Sequence, residues 1–242
     1  MTVVLFVCIA GGSARAATHQ TNVIAGWTVI ISQRLLTEDK EATAKALELL
    51  TRQLEEIARA VPAPAVAKLR AVPLWFSPEY PTTRPRAEYH PNRAWLVENH
   101  RDPAMAKCVE FTNVRIFEAE TKRMPNFALH ELAHAYHDRV LGFESREIKA
   151  AYERAKTAKS YDSVERWHGN GRSNTTERAY AMTDHKEYFA ETTEAFFSRN
   201  DFFPFTRKEL HRHDPEMEKL LARLWQADAF AGAGTKAQSS SP

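Results

Sequence analysis

The sequence predicts an α+β fold, with a small N-terminal sheet beside a mainly helical C-terminal portion. Three observations predict it. Apolar, β-branched runs sit in the first half of the chain, prolines crowd residues 61–91, and helical periodicity takes over from Pro125. A chain of 242 residues that is 43% hydrophobic and 26% charged can bury a sizeable core, which excludes collagen, a disulfide miniprotein and a mostly disordered tail.

Along the chain, Met1 to Gly12 form a short apolar run, followed by Ala14-Arg15-Ala16, a small-x-small pattern. The expectation is a secretory signal over residues 1–16 and a secreted or periplasmic protein. The alternative is a buried N-terminal strand, because no positive charge precedes the run. Cleavage near Ala16 would remove Cys8 and leave Cys108 as a lone thiol. The run is too short to span a bilayer, and no other segment approaches the required ~20 apolar residues, so no membrane span is expected.

Residues 17–228 are expected to form a single domain, α/β to about residue 124 and helical from 125, with a disordered tail at 229–242. Trp27 to Ile31 reads as a strand. Thr37 to Ala60 reads as one helix, with Ala44, Leu47, Leu50, Leu54, Ile57 and Ala58 at helical spacing. Pro62, Pro64, Pro73, Pro78, Pro81, Pro85 and Pro91 exclude a long helix, but leave room for an edge strand at Val72 to Phe76. Cys108 to Phe111 is a further strand. Beyond Pro125 come a Gly169-Asn170-Gly171 loop and helix starts at Thr206-x-x-Glu209 and Asp214-Pro215-Glu216.

Charge and cysteine content narrow the chemistry. Lys plus Arg number 33 and Asp plus Glu 31, a balance with no strong basic field, so nucleic acid is not an expected partner. Two cysteines cannot build a thiolate metal site. Any metal must be held by His and carboxylates.

His130-Glu131-Leu132-Ala133-His134 is an H-E-x-x-H sequence. Pro125 suits a first helical position and Gly142 a stop, while Leu129, Leu132, Ala133, Tyr136 and Val140 make one apolar stripe. On such a helix His130 and His134 project side by side, which suits Zn²⁺, and Glu131 flanks them within reach of an attacking water. The spacing also arises by chance, so a third ligand has to be found. Glu187 is the candidate: Thr183 or Asp184 can cap a helix that puts Glu187, Glu191 and Glu194 on one face, with Phe189 and Phe196 on another. Glu187 can equally complete a capping box with Asp184. Both readings stay open on the residues alone.

His130-Glu131-x-x-His134, followed by Tyr180 and Glu187-x-Phe189-Ala190-Glu191, resembles the catalytic domain of the lethal-factor-like zinc metallopeptidases, over roughly residues 125–197. The resemblance implies a zincin-like, gluzincin-type fold and one Zn²⁺ per chain. It implies His130, His134 and Glu187 as ligands, Glu131 as general base and Tyr180 as oxyanion donor. Glu191, matching the second Glu of the motif, is implied to support the ligands from behind. The expected function is zinc-dependent endopeptidase action on a peptide or protein substrate, by a monomer. The alternatives are an inactive zincin-fold binding module and a zinc hydrolase acting on a non-peptide amide. Nothing in the chain matches the toxin's receptor-binding or substrate-docking regions, so only chemistry is implied.

Other conspicuous residues read as structural. His137 is expected to be exposed or capping, with a place behind the ligands or in a substrate groove left open. Trp75, Trp95, Tyr89 and His90 are expected to pack under a long loop, and Phe202 to Phe205 to form a buried turn. Trp167-His168 reads as a surface loop, and Asn174-Thr175-Thr176 fits a glycosylation acceptor.

Overall fold

The computed structural model describes residues 18–169 and 171–227. The expected signal over 1–16 with its Cys8, Asn170 of the Gly-Asn-Gly loop and the expected tail at 229–242 lie outside the described residues.

A hairpin opens the chain: β1 (His19–Ile24) and β2 (Trp27–Ser32) are joined by Ala25-Gly26, both at positive φ, 50° and 92°, the pattern that matches the twist of paired strands. The φ of Gly26 is one that side-chain-bearing residues rarely adopt, and Arg70 Nε, which donates to Ala25 O at 3.0 Å, lies where a Cβ would stand, so that side chain would have to move.

The expected single helix at 37–60 is two, α1 (Gln33–Glu38) and α2 (Lys40–Ala60). The chain leaves helical geometry at Asp39, φ −125° and ψ 36°, whose carboxylate accepts from Arg115 Nε and Nη2 at 2.8 and 3.2 Å. The buried face of α2 includes Ala46, Leu49, Leu50, Leu54 and Ile57; Leu47 and Ala58 lie to its flanks, while Ala44, expected on that face, is exposed.

A short helix follows, α3 (Ala63–Arg70), with Pro64 in its first turn, where the missing N–H is harmless. Then come β3 (Leu74–Phe76), β4 (Ala87–Tyr89), α4 (Arg93–Glu98), capped by Asn92, and β5 (Val109–Phe111). The sheet order is β1-β2-β3-β5-β4, with β2, β3 and β5 parallel and the two edge strands antiparallel to their neighbours. The expected edge strand at 72–76 is therefore central. Pro73 is tolerated because it precedes the strand and contributes only its carbonyl, which accepts from Val109 N at 3.1 Å.

One face of the sheet, Val29, Ile31, Leu74, Phe76, Val109 and Phe111, belongs to the main core beneath the helices. The other carries Trp75, which packs with Leu96, Met105 and Cys108. Trp75, Tyr89 and His90 are all buried.

The helical portion follows: α5 (Phe117–Arg123), α6 (Phe127–Tyr136), α7 (Arg146–Ala158), a small hairpin of β6 (Val164–Arg166) and β7 (Thr175–Glu177), then α8 (His185–Phe197), α9 (Arg207–His213) and α10 (Pro215–Leu224). α6 starts after Pro125 because Asn126 is the cap, accepting from Leu129 N at 3.1 Å while its amide reaches Gln53 O on α2 at 3.2 Å. A wider turn, His137–Leu141, extends α6 to Gly142, whose φ of 79° ends it. Leu129, Leu132, Ala133 and Tyr136 are buried, and Val140 packs beside them. In the turn after α8, Phe202 and Phe205 are buried. Among the described residues no helix is long and apolar enough to cross a membrane.

Candidate metal centre

His130 and His134 lie one turn apart on α6, ring centroids 4.8 Å apart. Their Nε2 atoms approach to 3.1 Å. Glu187 Oε2, from the first turn of α8, lies 3.1 Å from His130 Nε2 and 3.3 Å from His134 Nε2. The three donor atoms thus form a nearly equilateral triangle. Ligands about 2.1 Å from a tetrahedral ion are about 3.4 Å from one another, so the three atoms could hold a divalent metal ion. His130 is buried while His134 and Glu187 are half-buried, which leaves one side of the triangle towards solvent.

The local sequence explains how the carboxylate reaches its place. Asp184 caps α8, accepting from Lys186 N at 2.7 Å and Glu187 N at 3.0 Å. The two readings of Glu187 therefore meet in one residue: its amide serves the cap and its carboxylate faces the imidazoles. Burial pushes the Glu187 carboxyl up, but hydrogen bonds to His130 and His134 overrule it and hold the group well below the usual carboxylate range. For His130, burial favours the neutral ring, yet hydrogen bonds with Glu187 and Glu194 raise it well above an ordinary histidine.

Behind the centre lies a buried acidic layer. His130 Nδ1 is 2.7 Å from Glu194 Oε1 and 3.8 Å from Glu191 Oε1. Glu191 accepts from Asn200 Nδ2 at 3.1 Å. Asp201 is paired with Arg123 at 2.6 Å. Burial, followed by the nearby Asp201 and Glu194 charges, pushes the Glu191 carboxyl well up. Burial also raises Glu194, to about 7, against the pull of His130.

Glu131 points to the sheet side, where its Oε2 accepts the backbone N–H of Tyr89 at 2.8 Å. Tyr89 also donates its hydroxyl to Asp138 Oδ2, at 2.8 Å, so edge strand β4 is tied to α6 and to the turn that continues it. Tyr180, on the single turn before α8, is 49% exposed. Burial of part of its ring raises the hydroxyl's pKa, and the Glu187 and Glu131 carboxylates of the centre add to it. His130, His134 and Glu187 are thus brought together, with Glu131 next to His130 on α6, Tyr180 on the turn that leads into α8, and Glu191 behind His130 but beyond hydrogen-bond reach of it.

His137 departs from expectation. It is fully buried, not exposed or capping, and neither ring nitrogen has a partner among the described residues. Phe143, Phe189 and His185 surround the ring at centroid distances of 5.1, 4.9 and 5.8 Å. The cause is α8 packing across the end of α6, a contact that spacing along α6 does not report. Sequence reasoning likewise missed the contact of Glu194 with His130, although two helical turns separate it from Glu187 on the same face. The Tyr89 amide carries no residue-specific signal at all. No family model, curated protein or solved structure matches the chain.

Proposed function

We propose that this chain is a zincin-type, zinc-dependent endopeptidase with one Zn²⁺ held by His130, His134 and Glu187. The triangle of two imidazole nitrogens and a carboxylate oxygen at 3.1–3.3 Å carries the reading. Zinc, when bound, supplies Lewis acidity to the attacking water and the scissile carbonyl. Glu131, one residue along the helix from His130, accepts the proton of that water and delivers it to the leaving amine. Tyr180 donates its hydroxyl to the developing oxyanion, a contribution of about 3–4 kcal/mol for a well-placed donor.

Among the described residues β4 has no strand on its outer edge, which favours a peptide substrate over another amide. Arg86 O and both backbone groups of His90 bond towards β5 and the loop before it. Ala87 and Tyr89, alternating with them, turn their backbone groups to the other edge. Tyr89 N–H meets Glu131 there, and Ala87 beside it offers an N–H and a carbonyl to an extended chain.

The test is metal analysis of the purified protein together with digestion of a proteome-derived peptide library, with and without chelator. Bound zinc and chelator-sensitive internal cleavage are expected. Zinc without cleavage would favour the inactive binding module, and cleavage confined to non-peptide amides the other hydrolase. Secretion or periplasmic export belongs to the same proposal, with N-terminal sequencing of the mature protein as its check.

A further inference from the structure

Glu187 and Glu194 stand two turns apart on one face of α8, with Glu191 between them. The motif resemblance gives the supporting role to Glu191. We infer that Glu194 is instead the positioning residue of the centre, fixing the His130 ring in the tautomer that turns its Nε2 lone pair to a divalent metal. This rests on the metal reading above.

The geometry separates the two carboxylates. Glu194 Oε1 is 2.7 Å from His130 Nδ1, whereas Glu191 Oε1 is 3.8 Å away, beyond hydrogen-bond reach. Glu191 is already engaged by Asn200. Glu194 is fully buried, His130 is the partner of its Oε1, and its Oε2 has none among the described residues. Burying a carboxylate with so few partners is costly unless the bond it does make is strong. Donation of Nδ1–H to that oxygen makes Nε2, which faces Glu187 and His134, the nitrogen that gives up its proton to a bound metal.

His130, Glu191 and Glu194 also offer three donor atoms to one another, which raises the question of a second ion. The 2.7 Å approach of Nδ1 to Oε1 answers it. Two ligands of one tetrahedral ion stand about 3.4 Å apart, so the contact is a hydrogen bond.

The experiment measures zinc dissociation constants by competition with a chromophoric chelator for wild type, Glu194→Ala, Glu194→Gln and Glu191→Gln. Far-ultraviolet circular dichroism and the visible spectrum of the cobalt(II)-loaded proteins accompany it. Glu194→Ala is expected to weaken zinc about 10- to 100-fold, with Glu191→Gln within about threefold of wild type. Glu194→Gln keeps an oxygen to accept Nδ1–H but loses the charge, and is expected to fall between them. The cobalt spectrum should change in Glu194→Ala and match wild type in Glu191→Gln. If Glu194→Ala does not fold, Glu194→Gln decides: zinc affinity equal to wild type overturns the inference. So does a Glu191→Gln loss as large as that of the Glu194 variants. A wild type that binds no zinc overturns the metal reading and this inference together, whereas a wild type that binds while both Glu194 variants match it overturns this inference alone.

Discussion

The backbone N–H of Tyr89 and the side chain of Glu131 are joined by a 2.8 Å hydrogen bond, so the last strand of the sheet and the helix bearing both imidazoles meet at the proposed base. The bond orients the carboxylate from the sheet side, one residue along α6 from His130. Glu131 has one anchored oxygen and a second to offer a water.

Glu131→Gln keeps an oxygen that can accept Tyr89 N–H but cannot take up a proton. Zinc content should equal that of wild type, while turnover falls by about 10²–10⁴-fold. His134→Ala should instead lose the metal. Metal analysis beside peptide cleavage rates reads both, and equal cleavage by wild type and Glu131→Gln would remove the base.

Tyr180→Phe removes one hydroxyl from a half-exposed ring, so the fold and zinc content should not change. The expected loss in turnover is about 10²–10³-fold. An unchanged rate at unchanged zinc content would end the oxyanion role.

His137 sets a pH dependence of stability. Burial first, then the charges of His185, His134 and Lys186 against Asp138, lower its folded pKa from 6.5 to about 3. Between those values the unfolded chain binds the proton and the folded chain does not. Stability is therefore full above the unfolded value and is lost as pH falls towards 3, by up to ~4 kcal/mol. His137→Phe, in a pocket already lined by Phe143 and Phe189, should flatten this limb in urea titrations at pH 4 and pH 7. A variant as acid-sensitive as wild type would place the titration elsewhere.

Arg101 bridges the two strands nearest the centre, at 2.7 Å from Glu88 on β4 and 3.2 Å from Glu110 on β5. His90 and Tyr80 bond the same Glu110 at 2.9 and 2.8 Å. Arg101→Ala leaves a buried carboxylate without its cation and should cost about 3–5 kcal/mol, measured by chemical denaturation. Zinc affinity of the folded protein should be unaffected, since none of these groups touches the ligands.

Much of the architecture is legible in the residues themselves, for a physical reason. The hairpin strand at 27–31, the helix carrying His130 and His134, and the Asp184 cap depend on contacts within a few positions, which side-chain period and capping chemistry report directly. The break at Asp39 is different in kind. Asp39 there meets Arg115, 76 residues away, a contact that no local pattern announces.

From the sequence alone come the coarse α+β class, the pairing of two imidazoles four positions apart, and a short roster of carboxylates able to join them. Tertiary structure alone decided that Glu187 meets those rings, that Glu194 and not Glu191 touches His130, that the strand after Pro73 is central, and that His137 is sealed among aromatic rings. Each of these depends on how elements distant in the chain pack. The free energy of such packing is shared among many side chains, so it leaves no short signature at any one position.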